Sequence, residues 1–327
     1  MDWKGKRVLV TGAGGFIGSH LAEKLLEEGA VVRTMVHYNA LGTRGWLDYS
    51  PHVDNMENIA GDITDRDSIH RALKNVEVVF HLAALVAIPY SYHTPVSYVR
   101  TNIEGTLNVL QAARELDVGR VIHTSTSEVY GTAKYVPIDE SHPLQGQSPY
   151  SASKIGADKI AESFYLSFGL PVVIVRPFNT FGPRQSARAV IPTIISQCLT
   201  GQTVRLGKLS PTRDLNYVAN TVEGFMLSAS APDAVGKTVN LGSGKEISVE
   251  DLAQLISRIV GHPISIKTEE QRLRPGKSEV ERLMADHRLA KEILGWEPRI
   301  SLEQGLKMTI EWFTDNLHRY RPDIYTT

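Results

Sequence analysis

Apolar positions in the first half of the chain fall into two alternating kinds of run. Short, nearly continuous and largely β-branched stretches occur at RVLVTG (7–12), VVRTMV (31–36), ENIAGD (57–62), VEVVFHLA (76–83), RVIHTST (120–126) and PVVIVRP (171–177). Between them, SHLAEKLLEEG (19–29), RDSIHRALKN (66–75), NIEGTLNVLQAARELD (102–117) and SASKIGADKIAESFYLSFG (151–169) carry apolar residues at helical spacing. Strands with one wet face would alternate apolar and polar residues, whereas continuous runs expect burial on both faces. Strands alternating with helices in this way predict an α/β fold: a Rossmann-like, doubly wound parallel sheet covered by helices.

Beyond about residue 178 the pattern loosens. FNTFGPRQSARAVIP is rich in turn residues, a helix is expected over 192–200 and a short strand over 203–206, and TVNLGSG (238–244) reads as one more strand returning to the main sheet. Ser248 before VEDLAQLISRIV, with Gly261 after it, predicts a capped helix. Ser301 three residues before Gln304 predicts a capping box opening the last helix. The expected organisation is a dinucleotide-binding domain over 1–178, rejoined by 214–245. A smaller C-terminal α/β substrate lobe is expected over 179–213 and 246–327, covering the carboxyl edge of the sheet where open α/β sheets bind ligands.

Composition narrows the partners. Of 327 residues, 42% are apolar and 22% charged, with a formal net charge of -1. No global field of either sign therefore draws the chain to nucleic acid or to a membrane surface, and a polyanionic ligand needs a local site. Cys198 is the single cysteine, which excludes an internal disulfide and a cysteine metal cluster, and the eleven histidines show no metal-ligand spacing. Cys198 in TIISQCL reads as a small buried hydrophobe. MDWKGKRVLVTG runs into the first strand without a signal-type apolar stretch, and a cytoplasmic setting is the expectation.

Candidate chemistry begins at VLVTGAGGFIGSHLAEKL, where Gly12, Gly15 and Gly18 stand directly after a strand and before a helix. A glycine pattern alone is weak; in this context Gly12 permits the turn, Gly15 lets backbone approach a pyrophosphate, and Gly18 lets helix pack on strand. The helix start at Phe16 and Ile17 then offers free N–H groups to phosphate. NAD binding usually has an acid at the end of the second strand, where this chain has His37, Tyr38 and Asn39, with Arg33 and Arg44 in the region. That absence permits NADP without requiring it. Asp62 in GDITD reads equally as a ligand for adenine or as a turn residue. Further along, SPYSASK places Tyr150 and Lys154 four apart, hence on one face of a helix. Alone, such a pair is weak evidence for chemistry.

TGAGGFIG, GDITD, HLAA (81–84), TNIEGT (101–106), STSEVYG (125–131) and YSASK (150–154) occur in that order, followed by RPFNTFGPRQ, RDLNYVAN, NLGSGKEIS and LGWEPRISLEQGL. Together they resemble the extended short-chain dehydrogenase/reductase superfamily, the NAD(P)-dependent sugar-nucleotide epimerases and dehydratases, over nearly the whole chain. The resemblance implies a tightly held, recycled NAD(P)+ and a homodimer formed through the helices over 102–117 and 151–169. It further implies that Ile63, Leu82, Ala83 and Ala84 line the cofactor site. Tyr150 is implied as the base that takes a sugar hydroxyl proton, with Lys154 favouring its phenolate and Thr126 bonded to the same hydroxyl. A free tyrosine lies about three pH units above neutrality, roughly 4 kcal/mol to be made up by such positive charge.

Ser127 and Glu128 after Thr126 are similar to the 4,6-dehydratase segment, with Glu128 the base for C5. Where glucose dehydratases carry Asp, this chain has Ser127, as in the GDP-mannose type, which leaves the acid for the C6 hydroxyl open. Glu128 is otherwise a surface carboxylate beside a loop. UDP-glucuronate decarboxylases share Ser-Thr-Ser-Glu, so a decarboxylase, a 4-epimerase and a cofactor-binding regulator without catalysis stand as alternatives. Arg213 and Arg274 match positions that pair with a substrate diphosphate, Asn179 and Ser91 positions near phosphate or sugar, and Asn102 a position near the cofactor loop or a helix cap. MVHYNALGTRGWLD and LRPGKSEVERLMAD are similar to bacterial dehydratases of legionaminic-type pathways, which implies a GDP- or UDP-linked N-acetylglucosamine as substrate.

Overall fold

The computed structural model describes residues 2–322, 324 and 325. Six strands alternate with helices through the first half. These are β1 (Arg7–Thr11), α1 (Phe16–Glu27), β2 (Val31–His37), β3 (Glu57–Gly61), α2 (Arg66–Leu73), β4 (Val78–His81), α3 (Ile88–His93), α4 (Pro95–Tyr98), α5 (Gly105–Glu115), β5 (Arg120–Thr124), α6 (Pro149–Phe168) and β6 (Val172–Pro177). The second half contributes β7 (Asn179–Phe181), α7 (Val190–Thr200), β8 (Thr203–Leu206), β9 (Thr212–Tyr217), α8 (Val218–Ser230) and β10 (Thr238–Leu241). The remainder is β11 (Glu246–Ser248), α9 (Val249–Val260), β12 (Ser265–Thr268), β13 (Arg282–Leu283), α10 (Arg288–Leu294) and α11 (Leu302–Asn316).

The main sheet has seven strands in the order β10-β6-β5-β4-β1-β2-β3, and every pairing in it is parallel. The expected doubly wound α/β sheet is therefore present, and the strand expected near 238–244 joins its edge beside β6, with Val239 opposite Val175. Successive strand residues point to opposite faces. Val8, Val10, Phe80, Ile122, Val173 and Val175 enter a core shared with Leu21 and Leu25 of α1 and Phe225 of α8. Leu9, Val79, Val121 and Val172 enter a second core with Leu73 of α2, Val109 and Leu110 of α5 and Phe164 of α6. Both faces are dry, as continuous apolar strands require.

A smaller four-stranded sheet is built on β9, which pairs antiparallel with β11 and parallel with β7 and β13; β8 and β12 form a separate pair. Asp214 knits this lobe to the exit of β10, accepting from Ser243 N at 2.7 Å, Gly244 N at 2.8 Å and Ala285 N at 3.0 Å. Ser248 caps α9, and Ser301 with Gln304 forms the expected capping box on α11. Cys198 is buried. Among the described residues no helix is long and apolar enough to cross a membrane.

Candidate active site

A cavity of about 570 Å³ opens at the carboxyl ends of β1, β2, β4, β5 and β6. Its floor at the β1–α1 turn is glycine for a spatial reason. Gly12 has φ +70°, and a Cβ there would lie 2.8 Å from Ala83 N, while one on Gly18 would run into the Gly12 carbonyl. Helix α1 starts after Gly15 with no side-chain cap. The first N–H groups of a helix have no intrahelical partner, so those of Phe16, Ile17 and Gly18 are available to an anion. Phe16, Ile17, Leu82, Ala83 and Ala84 all line the cavity. Thr124 Oγ1 and Asn179 Oδ1 are buried there without a partner in the protein. These features fit a dinucleotide whose phosphates sit on the α1 terminus.

The segment after β2 folds back on the glycine turn, with Trp46 N donating to Gly14 O at 2.9 Å. His37, Asn39, Thr43 and Arg44 line that end of the cavity. Arg44 is held by Asp48, its Nε 3.0 Å from Oδ1. Arg33, expected in the same region, instead lies toward the start of β2, bound to Glu57 at 2.7 Å and to the Ala72 and Lys74 carbonyls. A strand rises about 3.3 Å per residue, so Arg33, four residues before His37, lies roughly 13 Å back along β2 from the cavity. Asp62 and Ile63 line an adjoining cavity of about 290 Å³ with His37. Asp62 is a turn residue, its Oδ1 accepting from Thr64 N at 2.8 Å, and its Oδ2 stands 3.5 Å from His37 Nε2. Burial raises its carboxyl, but the Thr64 N–H and hydroxyl and His37 outweigh that and hold it below the usual range.

Three elements deliver the residues expected to carry chemistry. Strand β5 ends at Thr124, and Thr126 caps a short 3-10 turn, Ser127–Tyr130, accepting from Glu128 N at 3.2 Å. That turn aims Thr126, Ser127 and Glu128 at the cavity. Helix α6 begins with a capping box between Ser148 and Ser151 and with Pro149 in its first turn, so Tyr150 projects from the helix start into the same cavity. The Tyr150 ring packs edge-on against Tyr98, 6.2 Å away.

Lys154 is buried behind this wall and does not line the cavity; its Nζ donates to Thr124 O at 2.6 Å. Burial lowers its ammonium to about 8. Burial also raises Tyr150 well above its ordinary 10; the Thr126 hydroxyl opposes this, and the Glu128 charge adds to it. The expected low phenol is thus not a property of the protein alone, because the lysine's charge is spent on a carbonyl behind the strand end and a carboxylate faces the ring.

The expected substrate residues separate. Asn179 lines the cavity. Ser91 is fully buried and its hydroxyl is used by Ile88 O at 2.6 Å, one turn earlier in α3. Arg213 and Arg274 converge on Glu279, at 3.2 and 3.5 Å. Arg213 is lowered first by burial, and the charge of Glu128 raises it, so this group adjoins the Glu128 side of the site. Asn102 is not a helix cap: from a π-helical turn (Val99–Glu104) it clamps Leu85 N and O at 2.9 and 3.0 Å and reaches Ser153 Oγ at 2.9 Å.

Glu279, Thr43, Thr124 and Thr180 escaped the sequence reading. Glu279 lies in a charge-rich stretch where nothing marks one acid from its neighbours, although two arginines brought together call for a counter-charge. Among the described residues no cluster of three or more His, Cys, Asp or Glu could hold a metal ion.

Comparison with known proteins agrees with this geometry. A family model described as GDP-mannose 4,6 dehydratase matches residues 9–309. A UDP-glucose 4-epimerase of Mycolicibacterium smegmatis is 34% identical, covering 94% of this chain and 98% of its own. A UDP-glucuronic acid decarboxylase 1 of Xenopus tropicalis is 33% identical, covering 98% of this chain and 75% of its own. Among solved structures, DesIV, a dTDP-glucose 4,6-dehydratase from Streptomyces venezuelae with NAD bound, superposes with a TM-score of 0.88 at 30% identity, covering 97% of this chain and 99% of its own.

Proposed function

Because the chain belongs to the short-chain dehydrogenase/reductase family of NAD-dependent nucleotide-sugar epimerases, dehydratases and decarboxylases, we propose that it is a nucleotide-sugar 4,6-dehydratase. The observation that carries this reading is the Glu128 carboxylate on the cavity wall beside Thr126, within electrostatic reach of Tyr150. Turning a C4 ketone over, as an epimerase does, needs no such base. A 4-keto group acidifies the C5 proton, and a nearby carboxylate can remove it.

In this reading residues 1–178 and 214–245 carry the dinucleotide, and 179–213 with 246–327 the sugar nucleotide. NAD(P)+, when bound, supplies acceptance of the C4 hydride and its return at C6. Tyr150 takes the proton of the C4 hydroxyl, Thr126 hydrogen-bonds the same oxygen, and Lys154 lends positive charge from one turn along α6. Glu128 removes the C5 proton, and with Ser127 beside it that proton leaves with the C6 hydroxyl as water. As the hydride returns to C6, C5 takes up a proton equivalent to the one Tyr150 received, so one water is lost and both the cofactor and Tyr150 end as they began. Asn179, Arg213 and Arg274 hold the substrate's phosphates, and the substrate is a GDP- or UDP-linked N-acetylglucosamine.

A decarboxylase or epimerase reading is favoured by one observation, the similarity to proteins of both kinds at 33% and 34% identity. Mass spectrometry of the products decides among them. The purified protein is offered UDP- and GDP-N-acetylglucosamine, dTDP-glucose, GDP-mannose and UDP-glucuronate. Loss of one water is the expected result; loss of carbon dioxide or an isomer of unchanged mass would replace the dehydratase reading.

A homodimer through α5 and α6 belongs to the same proposal. Leu110 and Ile160 turn to the core, while Leu107, Leu166 and Phe168 are exposed on these helices at 39, 72 and 53%. Sedimentation should give twice the chain mass, and a monomer would remove the dimer from the proposal.

A further inference from the structure

Beneath the cavity floor lies a buried polar cluster that the proposed chemistry leaves unused. Asp158 stands on α6 one turn after Lys154 and is 2% exposed, with His123, Ser125 and Arg176 buried around it. Its Oδ2 accepts from Ser125 Oγ at 2.7 Å and from Arg176 Nη2 at 3.0 Å, and its Oδ1 is 3.2 Å from His123 Nε2. Arg176 donates onward to the Tyr130 hydroxyl at 3.0 Å, which donates to Asn240 at 2.7 Å.

The partners of Asp158 are spread across the site. Ser125 immediately precedes Thr126, and Arg176 lies on β6 three residues before Asn179. Asp158 itself shares a helix with Tyr150 and Lys154. We infer that Asp158 is a positioning residue, the one carboxylate that registers these three elements on one another and keeps the Lys154 ammonium charged without touching substrate. The inference rests on reading Lys154 as the cationic partner of Tyr150.

The charges around Lys154 support this. Asp158 faces it from its own helix, His123 from β5 and His81 from β4. Burial first, and then the positive charges near them, hold both histidines below their usual range, so they are neutral at pH 7. Arg176 from β6 and Tyr130 face Asp158 rather than the lysine. Glu128 and the phenols of Tyr150 and Tyr98 lie on the cavity side. Asp158 is then the negative group that opposes the loss of the Lys154 proton to burial.

A brace with no electrostatic role would lower activity equally at every pH. The distinguishing measurement is an NMR titration of the whole protein labelled with 13C-lysine, the Lys154 signal being assigned by its absence in Lys154→Met. In Asp158→Asn the Lys154 midpoint is expected to fall by about one pH unit or more, and Asp158→Glu to restore it. Should Asp158→Asn not fold, Asp158→Ser removes the same single charge while keeping a hydroxyl for Ser125 and Arg176, and the same fall is expected. An unmoved midpoint in whichever variant folds overturns the inference. The titration reads protonation whatever Lys154 does in turnover; if its catalytic role were wrong, Lys154→Met would retain turnover while the titration result stood.

Discussion

At the scale of single residues, the site holds two groups whose environments push them apart. Burial and the Glu128 charge keep the Tyr150 phenol protonated in the free protein, while Lys154 sits near 8. A phenol that must accept a proton near neutrality therefore requires positive charge to arrive with its ligands. Tyr150→Phe should cut cofactor reduction by about 10²–10⁴-fold, the usual worth of a positioned proton acceptor. Glu128→Gln should leave cofactor reduction visible by absorbance and stop water loss. Near-normal turnover of the first variant, or intact dehydration by the second, would remove that residue from its role.

At the scale of elements, legibility depended on which forces shaped each segment. The strands of the dinucleotide half are apolar on both faces, so hydropathy found them, with errors of a few residues at the ends: β5 stops at Thr124 because Thr126 is used as a cap. Strand β9 was hidden because TRDLNY looks wet. Its Asp214 and Asn216 are nevertheless buried, their polar atoms satisfied by Ser243, Gly244, Ala285 and Asn220. Helix α8 was missed for the same reason, since Asn220, Thr221 and Ser228 are buried within it. Helices α3 and α4 each open on a proline in their first turn and are short, so they leave little periodic signal.

Glycine spacing located the cofactor turn because its cause is local: a turn, and a helix packed close to a strand. The Lys154 contact with Thr124 and the pairing of Arg213 with Glu279 join residues distant in the chain, and no short window of sequence contains both partners.

For the whole molecule, two buried histidines and one half-buried one set an acid limit. His20, packed against the Pro183 carbonyl at 3.1 Å, is lowered to about 4 by burial and by Arg184. His81 and His123 are lowered too, burial being the main cause. Each takes a proton near its ordinary 6.5 once the chain unfolds but refuses it while folded. The unfolded state then binds more protons, so stability is complete above about 6.5 and declines as the pH falls toward 4. Thermal melts across that interval should show a steadily falling midpoint, and His20→Gln should make the decline shallower. A flat midpoint would mean that these histidines charge without unfolding.

The placement of β10 beside β6 bears on how the chain comes to be folded at all. During synthesis β6 is made early, and its outer edge stays without a neighbour until residues 238–241 have emerged. Everything from β7 to α8 must be translated in that interval. An unpaired, apolar parallel strand is a template for another chain, and ribosomes add only about 5–20 residues each second. The nascent chain, more than the finished protein, is therefore where this fold is exposed to misassociation.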